Sequence, residues 1–490
     1  MKKIALVFFL FVSVFSLAQT AARWENIYGG AGNEYGYRVR TCLDQGYIVA
    51  GSTSSTGISD GYLVRVDSLG LVMWSKYYIG NNVDVFRSIK QLPDSGYIVC
   101  GFSNSNRTHG GYDGWVMRTD KNGDSLWSKF IGTSNWDFFY DVTPTWDGNF
   151  ILAGGTYGQG AGDEDMYYVK INGNGDTLWT RTYGGIKADE ARGIIETAGD
   201  SLIAAVGFSY SLADTLGDSW ILRMRETNGD TILTRTAGFA NADDQAIGIC
   251  DNPTTGRFMI CGYNNNTPTL KYSYFGAFYY NGTNQFIYSS GNVQDQMLYG
   301  ITAHANGTIG AVGAIYSTPG GNGDMYFFHN RTVWESFPFG TTHLDIGYSI
   351  DLTHDDGYIA CGYTEGFNSY VPNIFLVKID TSGLSSTVLA IREQPSQQTI
   401  AKTSIFPDPS QDESTINYDS FQSITGKLQM GIYDMSGRLV MTIPSEQWQK
   451  TTARNANCRI ETQNLNNGIY QFLIRDESGA SSSGKFIVAH

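Results

Sequence analysis

The chain has 490 residues, including 58 glycines and 31 tyrosines, and its formal net charge at pH 7 is −14. Because 41% of its residues are hydrophobic and 14% aromatic, it can bury a large core, which excludes a disordered acidic tail. Nucleic acid is not expected as a partner, since a protein that binds phosphates needs a basic surface that this composition does not supply.

Residues 1–18 have the pattern of an export signal. Lys2 and Lys3 precede an apolar run from Ile4 to Phe15, and small residues around Ala18 suit a signal peptidase. We therefore expect cleavage before Gln19 and passage through the periplasm. No later segment has the length and hydropathy of a membrane span, so no transmembrane segment is expected in the mature chain.

Residues 23–391 contain one sequence unit repeated seven times. Trp24, Trp74, Trp127 and Trp179 lie 50, 53 and 52 residues apart. The repeats start near residues 24, 74, 127, 179, 233, 288 and 334. Each copy contains four short strand patterns separated by Gly-rich turns. Four antiparallel strands repeated about every 50 residues predict an all-β fold and a seven-bladed β-propeller, because stacking buries both faces of each blade.

Two segments compete for the strand that closes the propeller ring. Residues 24–28 match a fourth strand with no preceding three, whereas residues 385–391 follow the last Gly-containing turn. We favour the N-terminal segment because it carries Trp24 and the continuation Tyr28-Gly29-Gly30. The rival segment lacks both features.

Six cysteines are spread along the chain. Cys100, Cys261 and Cys361 fall at one repeat position, where other copies carry Ala or Val. A position that accepts these residues is a packed apolar site, so these thiols are expected to behave as small hydrophobic groups. Cys250 and Cys261 could share one hairpin, and the sequence leaves their pairing open.

After a predicted linker at residues 392–403, residues 404–490 form a second β-rich module. Alternating apolar residues in its segments suggest half-buried strands of a small sandwich. Four short motifs appear in order: Pro407-Asp408-Pro409, Ile432-Tyr433-Asp434-Met-Ser-Gly437-Arg438, Leu465-Asn-Asn-Gly468-Ile469-Tyr470 and Lys485-Phe486-Ile487-Val488.

With these motifs, the module resembles the type A C-terminal sorting domain of the type IX secretion system of Bacteroidota. The motif residues that carry the resemblance are Pro407, Pro409, Tyr433, Asp434, Gly437, Arg438, Gly468, Tyr470 and Lys485, while Asp408 replaces the family's usual Asn. The resemblance implies an Ig-like β-sandwich, handling by the type IX machinery, and a secreted or outer-surface location after this domain is removed. The seven copies also resemble the secreted bacterial propeller repeats that often precede such a domain.

In a propeller, the connections between strands two and three share a face with those between four and one. Here these connections are long, variable and rich in Gly, Ser, Asn and Tyr, which is typical of binding loops. Trp136 lies on this face, outside the repeated Trp positions. Its side chain is predicted either to stack on a sugar ring or a partner, or to pack over a blade junction.

A carboxylate recurs just before the innermost strand of each copy. These residues are Glu34, Asp84, Asp137, Asp189, Asp244, Asp295 and Asp345. We favour a structural role, in which each accepts backbone N–H bonds and ties one blade to the next. The alternative is a cation at the mouth of the central channel, with Asp84, Asp137, Asp189, Asp244 and Asp345 as ligand residues beside Trp136. No cofactor is expected, and calcium is the alternative that these oxygen ligands leave open.

No catalytic motif is present in the sequence. The Asp-x-x-Gly-x-x-x-Trp turns resemble the tryptophan-docking repeats of quinone-dependent dehydrogenases, but the adjacent Cys pair of those enzymes is absent. We therefore predict a secreted or surface-displayed binding or adhesion protein that is not an enzyme, with a glycan or surface protein as partner. The alternatives are a secreted polysaccharide hydrolase or lyase, because two ring carboxylates could approach, and a structural surface component.

Overall fold

The computed structural model describes most of the chain in two compact units, Met1–Arg392 and Glu393–His490. The described residues are 23–30, 32–55, 57–105, 110–212, 216–267, 270–290, 294–316, 322–330, 335–366, 371–385, 401–407, 410–420, 427–434, 439–476 and 481–490. The predicted export signal, most of the rival closing segment at 385–391, and motif residues Pro409, Gly437 and Arg438 lie outside them.

The first unit is built of four-stranded antiparallel sheets, and its described residues form seven of them. The chain starts with β1 (Trp24–Tyr28) and continues into sheet 1, which comprises β2 (Glu34–Thr41), β3 (Tyr47–Thr53), β4 (Asp60–Val66) and β5 (Val72–Tyr78). Sheet 2 comprises β6 (Asp84–Gln91), β7 (Tyr97–Ser103), β8 (Asp113–Thr119) and β9 (Ser125–Ile131). Sheet 3 comprises β10 (Asp137–Pro144), β11 (Phe150–Thr156), β12 (Asp165–Ile171) and β13 (Thr177–Tyr183).

Four more sheets repeat this order. Sheet 4 comprises β14 (Asp189–Glu196), β15 (Leu202–Ser209), β16 (Asp218–Arg225) and β17 (Thr231–Ala237). Sheet 5 comprises β18 (Asp244–Asn252), β19 (Arg257–Thr267), β20 (Leu270–Tyr279) and β21 (Asn284–Ser290), with a 3₁₀ turn at Pro253–Thr255. Sheet 6 comprises β22 (Gln296–Ala303), β23 (Ile309–Tyr316), β24 (Gly323–His329) and β25 (Glu335–Phe339). Sheet 7 comprises β26 (Asp345–Leu352), β27 (Tyr358–Thr364), β28 (Asn373–Ile379) and the N-terminal β1.

Strand β1 completes sheet 7, as the sequence favours. It pairs antiparallel with β28, with Trp24 opposite Lys378 and Tyr28 opposite Ile374. The first strands of the sheets contact one another in chain order, and β26 in turn contacts β2. The two middle strands of a sheet are buried because sheets pack on both of their faces. In sheets 1, 3 and 7, for example, every residue of both middle strands is buried.

Four repeated Trp residues contact a turn of the next sheet: Trp24, Trp74, Trp127 and Trp179. Trp127 lies on β9, the last strand of sheet 2. Its indole N–H donates to the carbonyl of Gly173, in a turn of sheet 3, at 3.0 Å. The same ring covers Gly175, which has a φ of +81°, and a Cβ placed there would lie 2.9 Å from the ring. The Asp-x-x-Gly-x-x-x-Trp pattern therefore encodes a turn glycine that receives the Trp of the preceding sheet.

The second unit contains two four-stranded sheets that share one hydrophobic core. Its strands are β29 (Ala401–Phe406), β30 (Glu413–Ser420), β31 (Leu428–Asp434), β32 (Leu439–Ile443), β33 (Gln449–Lys450), β34 (Asn455–Glu461), β35 (Gly468–Asp476) and β36 (Ser481–Val488), with a 3₁₀ turn at Ser445–Gln447. The sheet orders are β29-β30-β34-β33 and β32-β31-β35-β36. Strand β29 begins at Ala401, so the last three residues of the expected linker, 401–403, belong to a strand.

Two further observations concern the whole described part of the chain. All six cysteines are free thiols, and Cys100, Cys261 and Cys361 are fully buried in the packing between sheets. Among the described residues, no helix has the length and apolar character needed to cross a membrane.

Candidate ligand-binding site

The first strand of every sheet in the first unit carries a β-bulge at the same position. In sheet 1 the register shifts between Gly36 and Arg38, so Tyr37 is left without a pairing partner. The seven residues skipped in this way are Tyr37, Arg87, Tyr140, Arg192, Ile247, Tyr299 and Tyr348. We call them the bulge ring. A bulge re-aims its side chain, and all seven of these side chains are partly exposed.

Neighbouring members of the bulge ring contact one another. The guanidinium of Arg87 lies 4.2 Å from the ring centroid of Tyr37 and 5.6 Å from that of Tyr140. The guanidinium of Arg192, in the next sheet along the chain, lies 4.5 Å from the centroid of the same Tyr140 ring. Tyr348 contacts both Tyr37 and Tyr299 with centroid distances of 5.5 Å. These contacts join six members in the order of the sheets, so all members except Ile247 form one continuous group of aromatic and cationic side chains.

A cavity of about 160 Å³ lies at the bulge ring. Its lining consists of Tyr37, Arg38, Arg87, Tyr140, Arg192, Gln245, Ile247, Tyr263, Tyr299 and Tyr348. The lining thus contains three arginines and no carboxylate. Arg38 pairs with Asp141 at 3.0 Å, and Arg192 pairs with Glu190 at 2.5 Å, with both acids outside the lining. Within the described residues, Arg87 makes no ion pair.

A second cavity, of about 520 Å³, is lined by the ends of the same first strands. Arg40, Lys90, Cys250 and Asp351 are among its lining residues. Burial, helped by the nearby Arg40 and opposed by Asp141, lowers the pKa of Lys90 to about 7. For Asp141, burial alone would raise the pKa, but Arg38 and Lys90 hold it below the usual value. The interior of the first strands therefore carries a dense group of opposite charges.

Trp136 connects the exposed loops to the bulge ring. Its side chain is 52% exposed, and its ring contacts those of Tyr112 and Tyr157 at centroid distances of 5.8 and 6.0 Å. It also contacts Phe138 at 6.5 Å, and Phe138 stacks on Tyr140 at 6.2 Å. Trp136, Phe138 and Tyr140 alternate along the start of β10. We call these three residues the aromatic row. Trp136 is therefore half exposed and packed against its neighbours, and its stacking on a ligand stays a prediction.

The recurring carboxylates lie beneath the loops that join consecutive sheets. Six of them, Glu34, Asp84, Asp137, Asp189, Asp244 and Asp345, begin the first strands and are at most 3% exposed. Their oxygens accept backbone N–H bonds from the preceding loop: Thr133 to Asp137 at 2.6 Å, Gly185 to Asp189 at 2.8 Å, Thr341 to Asp345 at 2.6 Å, Phe239 to Asp244 at 2.9 Å and Gly30 to Glu34 at 2.9 Å. Asp84 accepts from the Ser105 hydroxyl at 2.6 Å. Asp295 directly precedes β22 and accepts from Lys271 N at 2.8 Å.

These hydrogen bonds support the tethering role of the recurring carboxylates. Burial raises the pKa of Asp244 to about 7, with Asp218 and Asp243 adding to the shift, and raises that of Asp345 to about 6. A cation would stabilise the charged forms and would need several oxygen ligands. In the described part of the chain, no three Asp, Glu, His or Cys side chains group closely enough to hold a metal ion.

Sequence reasoning did not identify the bulge ring. A signal was present nevertheless: in most copies a large aromatic or arginine residue stands three positions after the recurring carboxylate, as Tyr37 follows Glu34 and Arg87 follows Asp84. In a regular strand that position would lie on the same face as the residue one position after the carboxylate. The bulge alters this alternation. A bulge is a property of the pairing between two strands, and the residue types of one strand do not predict it.

Three motifs of the second unit meet in the sheet formed by β32, β31, β35 and β36. Asp434 lies opposite Tyr470 on the neighbouring strand, and Tyr470 lies opposite Phe486, next to Lys485. The Tyr470 ring stacks on Phe486 with a centroid distance of 5.7 Å, and its hydroxyl donates to Asn466 O at 2.9 Å. Tyr433 and Gly468 flank this pair along their strands. Pro407 is exposed directly after β29.

Comparison with known families identifies the second unit alone. Residues 404–489 match the family described as the secretion system C-terminal sorting domain. Such a domain implies export by the type IX secretion system to the cell surface or the extracellular space. No curated protein sequence matches the chain.

The solved structures that match the chain share little sequence identity with it. Two crystal structures of Sqt1 from Chaetomium thermophilum each have a TM-score of 0.42, with 10% and 9% identity, over 76% and 74% of this chain and 86% and 98% of theirs. Prolyl oligopeptidase B from Galerina marginata has a TM-score of 0.34 and 10% identity over 80% of this chain and 56% of its own. Likeness at this level carries no information about function.

Proposed function

We propose that this protein is an exported binding protein in which a seven-bladed β-propeller is the cargo and an Ig-like β-sandwich is the sorting domain. Seven sheets whose first strands contact one another in order, with the last sheet completed by β1, support the propeller. The shared core of the two C-terminal sheets and the family match over 404–489 support the sorting domain. A Bacteroidota-type bacterium is the source that this export route indicates.

The observation that carries the binding function is the aromatic row with its exposed end at Trp136. An indole that is half exposed and held by contacts with Tyr112, Phe138 and Tyr157 has lost most of its rotamer freedom before any ligand arrives. Such preorganised aromatic surfaces bind flat apolar faces, including those of sugar rings, at low entropic cost. A glycan is therefore the ligand that we propose, and Trp136 is its first contact.

Binding of the purified mature protein to a glycan array tests this function, with Trp136→Ala as the variant. Trp146 supplies a matched control, since its side chain is 72% exposed in the turn at the other end of β10. We expect Trp136→Ala to weaken glycan binding by about tenfold or more, in the range of one lost stacking contact, and Trp146→Ala to leave it unchanged. Equal effects of the two substitutions, or no effect of either, would contradict the assignment.

A hydrolase acting on polysaccharide is the second candidate, and one observation favours it. Burial raises the pKa of Glu164 to about 8, with Glu190 adding to the shift, and the hydroxyl of Tyr157 donates to Glu164 at 3.0 Å. A carboxyl group that is protonated at neutral pH beside an aromatic surface is the requirement for a general acid. Release of reducing ends from a bound glycan would favour the hydrolase, whereas binding without turnover favours the binding protein.

A further inference from the structure

We propose that the bulge ring is an anion-binding site that takes a carboxylate carried on a six-membered ring, with Arg87 and Arg192 as its cationic contacts. This inference rests on the proposed binding function and adds the chemical class of the ligand. The site lies at the inner end of the aromatic row, whereas Trp136 forms the outer end.

Charge is the first argument. The protein has a net charge of −14, yet the cavity at the bulge ring is lined by three arginines and no carboxylate. Asp141 and Glu190 balance two of these arginines from outside the lining. Arg87 makes no ion pair within the described residues and lies over the faces of Tyr37 and Tyr140. Glu190, the acid that its charge reaches, is already paired with Arg192. An anion entering the cavity would give Arg87 a direct ion-pair partner.

The setting of Arg87 also suits carboxylate recognition. A guanidinium that stacks on aromatic rings is held in one plane while the N–H groups at its edge remain available for a planar carboxylate. Tyr140 lies between Arg87 and Arg192, at 5.6 and 4.5 Å from their guanidinium carbons. Two cations that flank one aromatic ring concentrate positive charge at the place where a carboxylate would bind.

The size of the cavity and the polarity of its walls indicate the part of the ligand that carries the carboxylate. A cavity of about 160 Å³ is close in volume to the roughly 150 Å³ engineered cavity that binds benzene, so it suits one six-membered ring. The hydroxyl of Tyr263 donates to the amide oxygen of Gln245 at 2.7 Å, and the amide nitrogen of Gln245 donates to the hydroxyl of Tyr210 at 3.3 Å. These two hydrogen bonds fix Gln245 and Tyr263 as a polar wall of the cavity. Ile247, the single aliphatic member of the bulge ring, provides an apolar wall. A uronic acid and an aromatic carboxylate both meet these conditions.

Titration calorimetry on the full mature protein tests the proposal with three probes: a glucuronate-containing disaccharide, its neutral glucose counterpart and benzoate. We expect the glucuronate disaccharide to bind about tenfold or more tightly than the neutral one, and this preference to shrink as salt is raised. Binding of benzoate with the same dependence on Arg87 would identify an aromatic acid as an equally good source of the carboxylate. Equal binding of the charged and neutral sugars would overturn the proposal.

Variants at Arg87 separate charge from packing. Arg87→Gln is expected to weaken binding of the carboxylated probes about tenfold and to leave the neutral disaccharide unchanged. Arg87→Lys keeps the charge and is expected to have a smaller effect, which guards against a loss of folding in the Gln variant. The control is Arg181→Gln on the outer strand β13, where Arg181 pairs with Asp230 at 3.2 Å. Unchanged carboxylate binding in Arg87→Gln would overturn the proposal.

The two proposals fail in different ways. If Trp136→Ala abolishes glycan binding while Arg87→Gln has no effect on any probe, the glycan-binding function stands and the anion site is refuted. If benzoate binds with dependence on Arg87 but no glycan binds, the anion site stands and the glycan-binding function is refuted.

Discussion

Replacing Asp244 by Asn removes the charge of one loop tether and keeps its shape. Because the pKa of this buried carboxyl is about 7, against 3.8 for an exposed one, the folded protein holds a proton that the unfolded chain has released at intermediate pH. Stability therefore falls as the pH rises from about 4 through 7, and the full penalty is present above pH 7. A shift of about three pKa units corresponds to roughly 4 kcal/mol. We take half of it, about 2 kcal/mol, because structural relaxation and water penetration reduce the penalty of a buried charge.

The measurement is urea unfolding of the wild type and Asp244→Asn at pH 4.5 and pH 8. The asparagine oxygen can still accept the Phe239 N–H, so the two proteins are expected to be about equally stable at pH 4.5. At pH 8 the variant is expected to be more stable by about 2 kcal/mol. The control is Asp356→Asn, which removes the same charge from an exposed turn residue.

Two results would refute this reasoning. A variant less stable than the wild type at pH 8 would show that the ionised carboxylate stabilises the loop. If calcium raised the stability of the wild type at pH 8 and had no effect on Asp244→Asn, the carboxylate would be a cation ligand and the tether interpretation would be wrong.

Two further predictions concern the joints between sheets and the export route. Gly175→Ala is expected to lower the free energy of unfolding by about 2–4 kcal/mol, because the φ of Gly175 is +81° and an added Cβ would lie 2.9 Å from the Trp127 ring. Chemical denaturation measures this change. The control is Gly173→Ala, which should change the free energy of unfolding little because an added Cβ there meets open space. Deleting residues 404–490 is expected to leave the chain in the periplasm of its native host, as detected by cell fractionation with the full chain as control, and normal secretion of the shortened chain would contradict the sorting role.

Much of the first unit could be predicted because its signals are local and repeated. The spacing of Trp24, Trp74 and their equivalents predicts the four-stranded sheets, and the orphan strand at 24–28 predicts its pairing with the last sheet. The recurring carboxylates were also located at the starts of the first strands. The sequence also favoured a tethering role for them, but it did not reveal the donors, such as Thr133 for Asp137, because a sequence does not show which loop folds over a strand.

The site was harder to predict because it depends on backbone register. Tyr37, Arg87 and Tyr140 belong to different sheets and meet only because each first strand carries a bulge. Trp136 stood out in the sequence as an aromatic outside the repeat, yet its link to the bulge ring runs through Phe138, which looks like an ordinary core residue. The start of β29 at Ala401 was missed because the preceding Gln- and Pro-containing stretch resembles a linker.

The pairing of β1 with β28 also determines when the first unit can be completed during folding. Trp24 and Lys378 are partners in the last sheet, although nearly the whole unit separates them in sequence. Contacts between such distant residues form slowly, because closing a loop of this length costs roughly 5 kcal/mol of entropy when the intervening chain is unfolded. Until that step occurs, the edge of β28 offers unpaired N–H and C=O groups to any other strand. During the export that we propose, the chain would therefore remain vulnerable to aggregation until its first strand meets its last.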